Sequence, residues 1–200
     1  LLAACLVFIV AEDTRQPELV TCPVCHGSSR HGLFGISRLI FIHLGSRRVF
    51  CSSVTYGPGS VGTQQARNTL MWCAEQGIAP GFLIRDADTK FCASFDTVWA
   101  SEGARVIQIP HRAPNANAFA ESFIGTLKRE CLDFFVCFSR SQLDYILSTW
   151  VRHYNVERPH RGRDIGNNVL QVDFRPARDG PIRCRSQLGG IITSYTREAA

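Results

Sequence analysis

An α/β domain with a mixed sheet covered by helices is the fold class this sequence predicts, on three observations. Apolar, β-branched-rich runs alternate with helical segments in the order hairpin, helix, strand, helix, strand, helix, helix. The chain has 200 residues, enough for one domain with a proper core and a small appendage. Its composition is globular, 45% hydrophobic and 20% charged, with no long polar tract and no internal repeat.

The elements follow in chain order. "LLAACLVFIVA" opens the sequence with eleven apolar residues, short of the roughly 20 that span a bilayer, so it predicts a buried strand. The first basic residue, Arg15, follows this run rather than preceding it, which is the wrong order for a secretory signal. A reducing cytoplasm is therefore the expected location. The chain begins at Leu1 and its only methionine is Met71, which predicts a start inside a longer reading frame.

Two apolar runs, 39–44 and 49–54, are joined by "GSRR" and predict a β-hairpin. Ala66, Leu70, Cys73 and Ala74 then fall on one helical stripe, closed by Gly77 and Pro80. "GFLIRD" is a short buried strand ending in an acidic residue, and "CASFDTVWASEG" a short helix stopped by Gly103. "ARVIQIP" is another strand, ended by its proline. A helix follows from about 118 to 131 on the stripe Ala120, Phe123, Ile124, Leu127 and Cys131. The next helix is predicted to start at Ser141, with Asp144 completing a capping-box-like pair, and to bury Leu143, Ile146, Leu147, Trp150, Val151 and Tyr154. Beyond about Gly162 the pattern thins, and "LGGIITSYTREAA" predicts a last strand.

Net charge is +5, from 22 basic and 17 acidic residues. Only Lys90 and Lys128 are lysines, so the excess is arginine, whose planar fork suits phosphate. Such a balance permits nucleic-acid binding without requiring it. Nine scattered cysteines, an odd number, argue against a disulfide framework.

"CPVCH", 22–26, carries the haem-attachment pattern and half of a zinc-ligand pattern. Haem attachment belongs to exported proteins, and the single methionine is distant in sequence. For zinc, His26 and His31 follow closely. No residue separates Cys25 from His26, however, and no second Cys-x-x-Cys exists. A zinc- or haem-binding module built on these residues is the alternative reading, and a haem-free protein is the expectation.

Acidic residues mark the better candidate site. Asp86 stands just past a buried strand, where α/β sheets commonly place functional groups. Glu121 lies in the first turn of a helix, and Lys128, seven residues on, shares its face. Singly these are ordinary features: a strand-end turn residue and a solvated helical face.

The words around them are more specific. "LIRDADTKF", "APNANAFAESFIGTLKREC" and "WVRHYNVERPHRG" together resemble the catalytic core of DDE transposases and integrases, those of bacterial insertion sequences and their retroviral relatives. The resemblance covers roughly residues 31–163. It leaves 1–30 as a diverged or out-of-frame segment and 164–200 as a C-terminal tail. Thirty-four residues separate Asp86 from Glu121, near the family's usual spacing.

The resemblance implies a ribonuclease-H-like fold and metal-assisted attack on DNA phosphodiesters, with three carboxylates holding two Mg²⁺ (or Mn²⁺) ions. It implies that Asp86 and Glu121 are the second and third metal-binding catalytic carboxylates. Lys128 then matches a residue that touches DNA phosphate, and Asn117 one that lines the site. Arg158, Pro159 and His160 match a word assigned to structure rather than chemistry. The implied partners are DNA and, in an active protein, further copies of the same chain, with no membrane. The first carboxylate is expected on a strand that leads by a short turn into the hairpin, at a spacing that lands on Thr21. No carboxylate lies between Glu18 and Glu75. The expectation is a degraded copy lacking the first aspartate, with a frameshift or rearrangement upstream of about residue 31. Asp13, through a shifted strand, is the one alternative donor.

Overall fold

The computed structural model describes residues 3–11, 37–52, 60–85, 91–109, 118–161, 168–171 and 174–198. They fall into two compact units, Leu1–Phe123 and Ile124–Ala200. "CPVCH", Asp13, Thr21, Asp86 and Asn117 lie outside the described residues.

The first unit is built on a five-stranded sheet of order β3-β2-β1-β4-β5. Its strands are β1 (Ala3–Ala11), β2 (Ser37–His43), β3 (Val49–Cys51), β4 (Pro80–Arg85) and β5 (Arg105–Gln108). β2 and β3 form the expected antiparallel hairpin, and β4 and β5 pair in parallel. Four consecutive residues of β2, Leu39 to Ile42, are buried, so both faces of the sheet are covered there. Such strands read as continuous rather than alternating apolar runs.

Helices α1 (Ser60–Glu75) and α2 (Ala93–Ser101) share a core with the sheet, formed by Leu39, Phe41, Ala66, Cys73, Leu83, Phe91, Phe95 and Trp99. Phe41 and Trp99 stack at 5.9 Å, and Phe91 and Phe95 at 4.9 Å. Burial of each large side chain contributes about 1.5–3 kcal/mol. α1 is turned slightly from expectation. Gln65, Ala66, Thr69 and Cys73 are buried, while Ala74 is exposed. Thr69 can lie inside because its hydroxyl donates to the Gln65 carbonyl at 2.7 Å. Both helices end in the same motif. Gly77 (φ 66°) and Gly103 (φ 83°) take left-handed backbone, and the following N–H groups return to the Cys73 and Trp99 carbonyls.

In the second unit, α4 (Arg140–Val156) buries Leu143, Ile146, Leu147, Trp150 and Tyr154 as its periodicity predicts. Its cap differs from the predicted Ser141 with Asp144. Ser139 accepts from the Gln142 N–H at 3.2 Å, and the Gln142 side chain accepts from the Phe138 N–H at 2.9 Å. The predicted last strand is present as β7 (Ile192–Arg197), in a hairpin with β6 (Ile182–Gln187). β6 escaped the sequence reading because "IRCRSQ" has no buried face to impose an alternation.

The strand predicted from "LLAACLVFIVA" exists as β1, in the centre of the sheet. Its direction is the surprise. β1 pairs parallel to β2 and antiparallel to β4. A strand leading by a short turn into β2 would have to be antiparallel to it, since parallel neighbours need a long crossover. Twenty-five residues separate Ala11 from Ser37, and the central position is filled by a strand running the other way.

Candidate active site

β4 delivers the chain to Asp86. Its last three residues, Leu83, Ile84 and Arg85, are buried, and Asp86 follows immediately. Arg85 fixes this end of the strand. Its Nε and Nη2 donate to the two carboxylate oxygens of Asp96 on α2, at 2.8 and 2.7 Å. Its guanidinium also lies 5.5 Å from the centre of the Phe91 ring, and its carbonyl accepts from the Ile109 N–H at 2.9 Å. A planar fork held bidentately and stacked on a ring leaves Arg85 little freedom. The reading from sequence missed this residue, although an arginine beside a candidate ligand on a strand that is otherwise apolar was a visible signal.

α3 (Ala118–Glu130) carries Glu121 in its first turn and Lys128, half-buried, in its last. Phe123, Ile124, Leu127 and the following Cys131 are buried, the stripe read from the sequence. The far end of α3 is anchored by Arg158, whose Nε and Nη2 donate to Glu130 at 2.8 and 2.6 Å. That pairing holds the Arg158 charge on, raising its pKa. His160 is buried edge-on to Tyr154, 4.5 Å between ring centres, and its Nε2 lies 2.8 Å from the Tyr154 carbonyl oxygen. Arg158 and His160 thus tie the end of α4 down, the structural role expected of their word.

In sequence, Asp86 follows the last residue of β4, Glu121 belongs to the first turn of α3, and Asn117 precedes α3 by one residue outside the described part. Asp13 lies outside the described residues, two positions beyond the end of β1. β1 ends at Ala11, which pairs with Pro80, five residues before Arg85. At about 3.4 Å per residue the strand leaves the sheet roughly 17 Å from the end that leads into Asp86. Beside Arg85 itself stands Val7. Among the described residues, those of β1 that precede Val7 are Ala3, Ala4, Cys5 and Leu6, and none is a carboxylate.

Residues 102–164 match the integrase core domain family. This region contains α3, α4 and the Arg158–His160 anchor. The chain carries an integrase-like core.

A relative of that core is the insertion element IS476 uncharacterized 39.2 kDa protein of Xanthomonas euvesicatoria, 36% identical over 82 residues. The match takes in 40% of this chain and 24% of that protein, so this chain spans about a quarter of the length of its curated relative. Among solved structures, the core is similar to a chain of the simian T-cell lymphotropic virus intasome in complex with PP2A regulatory subunit B56 gamma. The TM-score is 0.52 at 13% identity, over 92% of this chain and 73% of that one. The fold is ribonuclease-H-like α/β, as the resemblance implied, and its central strand runs parallel to β2 and antiparallel to β4. Among the described residues no cluster of three or more His, Cys, Asp or Glu could hold a metal ion, and no helix is long and apolar enough to cross a membrane.

Proposed function

We propose that this chain is a DNA integration or transposition core that binds DNA but lacks the first of three metal-binding carboxylates. The observation that carries the reading is the integrase-core match over 102–164, which includes Glu121 and Lys128. The insertion-element relative supports DNA as the substrate class, and the intasome likeness supports work as an oligomer on DNA ends.

The donor set decides how far the chemistry goes. Mg²⁺ and Mn²⁺ take hard oxygen ligands, and a pair of such ions serves phosphoryl transfer by activating a nucleophile and stabilising the leaving oxygen. Asp86 and Glu121 are two carboxylates for a site that needs three. Between Glu18 and Glu75 the sequence carries no carboxylate that could serve as the third. The residues present do not fit a two-ion site. What remains is the non-catalytic part. Arg85 holds the β4 end in place, α3 carries Lys128 in its last turn as a candidate phosphate contact, and the arginine excess favours the DNA backbone.

The test is nicking of supercoiled plasmid by the purified chain with Mn²⁺, with Glu121→Gln as control and DNA binding measured in parallel. Salt-sensitive, sequence-tolerant binding is expected, with no nicking by either protein. Lys128→Ala should weaken binding to all sequences alike and flatten the salt slope by roughly one unit. Nicking that disappears in Glu121→Gln would overturn the incomplete-site reading. A chain that binds no DNA at low salt would overturn the DNA-core reading itself.

A further inference from the structure

The β6–β7 hairpin lies beyond residues 102–164, so the integrase-core match does not account for it. Its register divides its side chains between two faces. Arg185, Gln187, Ile192 and Ser194 share one face, on which Ile192 and Ser194 are buried. This face is held to the end of α4. The Arg152 guanidinium donates to the Gln187 side chain at 2.6 Å, and Arg185 donates to Glu157 at 3.4 Å. Arg183, at the open end of the same face, pairs with Glu198 at 3.0 Å. Both arginines of this face are therefore matched by acids of the chain itself.

The other face is built differently. It carries Ile182, Cys184, Ser186, Thr193, Tyr195 and Arg197, all exposed, with no acid among them. Tyr195 stands opposite Cys184 and is 70% exposed, and Arg197 follows two residues on along the same face. The Arg197 Nη1 donates to the Gly180 carbonyl at 2.9 Å, which sets its guanidinium against the segment that enters β6. That segment brings two more exposed arginines, Arg175 and Arg178, against one acid, Asp179. From 175 to 198 the chain holds five arginines against two acids, a balance of +3 within a whole-chain charge of +5. An aromatic ring left in water beside arginine, on a face without acids, is the pairing that suits a single strand. A base stacks on the ring while the cations follow the phosphates.

Given the reading of this chain as a DNA core, on which the inference rests, we propose that the outward face of the β6–β7 hairpin binds single-stranded DNA. Tyr195 is the platform for one base, and Arg197 contacts phosphate, continued by Arg175 and Arg178. The charge selects a polyanion over an apolar partner. The ring selects a single strand over a duplex, whose bases are already stacked on one another and which offers this face only its phosphates. Stacking tolerates every base, so the surface holds a strand without reading its sequence.

The experiment uses the full-length chain with oligothymidylate and with a duplex of equal length. Cys184 is an exposed thiol on the proposed face and serves as reporter, with Cys51 of the first unit as internal control. Alkylation of both by iodoacetamide is followed by mass spectrometry with and without DNA, and affinity is read by fluorescence anisotropy. Tyr195 and Arg197 are exposed, so their substitution leaves the core untouched. Oligothymidylate should slow alkylation at Cys184 and not at Cys51. Tyr195→Ala should weaken single-strand binding about tenfold while Tyr195→Phe retains it. Arg197→Ala should flatten the single-strand salt slope by about 0.7. Oligothymidylate that binds while Cys184 reacts at its free rate, or binds Tyr195→Ala as tightly as the parent chain, would overturn the proposal and leave the DNA-core reading standing. A duplex that protects Cys184 as well as the single strand does would overturn the choice of strand. A chain that binds neither form at low salt would overturn both readings.

Discussion

Along α4 the buried residues Leu143, Ile146, Leu147, Trp150 and Tyr154 recur at helical spacing among exposed polar ones, whereas β1 reads "AACLVFIVA" from end to end. Turning α4 about its axis would bury Arg152 and expose Trp150. Turning β1 end for end exchanges one apolar sequence for another. The first element encodes its orientation in its pattern, and the second encodes only that it is a strand. The apolar segment thus specifies a strand for the centre of the sheet without recording in its pattern which way that strand runs.

The largest predicted effect lies on the patterned side. Trp150→Ala should cost about 3–5 kcal/mol, because Trp150 is fully buried and its indole leaves a large cavity. Reversing the order of residues 3–11 should change stability less than this, because the reversed segment is again apolar throughout. Denaturant unfolding measures both. Equal losses would break the comparison.

Arg85→Ala should be next, at about 2 kcal/mol, since it strands Asp96. The full cost of a broken buried pair is not expected because the Asp96 side chain is 32% exposed. Arg85→Lys should recover only part of this loss, as a point charge does not replace the fork. An Arg85→Ala protein of unchanged stability would remove the anchor assigned to the β4 end.

The smallest effect is a pH dependence from His43, the last residue of β2. Its Nδ1 accepts from the Ser46 N–H at 3.2 Å, and its Nε2 is buried with no partner among the described residues. Burial first, and the Arg48 charge second, lower its pKa from the ordinary 6.5. The unfolded chain then binds the proton more readily than the folded one. This contribution to stability is present above about pH 6.5 and lost as pH falls toward the lowered folded value. Thermal unfolding between about pH 7 and 5 should show a falling Tm that is shallower in His43→Gln. An identical slope in the two proteins would place the dependence elsewhere.

Much of this was legible in the sequence, for physical reasons. Helical stripes and the "GSRR" turn are local patterns, and they appeared within a few residues of expectation. Ser139 with Gln142 and Ser141 with Asp144 are both Ser-x-x-polar pairs one turn apart, so spacing alone could not choose between the caps. Ala74 was placed inside because alanine is apolar, while Thr69 took a buried position by satisfying its hydroxyl on the backbone. The direction of β1 was not legible because nothing in its side chains records it. The absence of any carboxylate between Glu18 and Glu75 is a fact of sequence.

Strand direction can be read directly from backbone proton contacts between β1 and β4 in isotope-labelled full-length protein by nuclear Overhauser spectroscopy. Contacts should join Val7 to Arg85, Phe8 to Ile84 and Val10 to Phe82, falling along β4 as they rise along β1. Contacts whose residue numbers rise together along both strands would put β1 parallel to β4. They would reopen the Arg85 end of the sheet to whatever follows Ala11, and contradict the account at its centre.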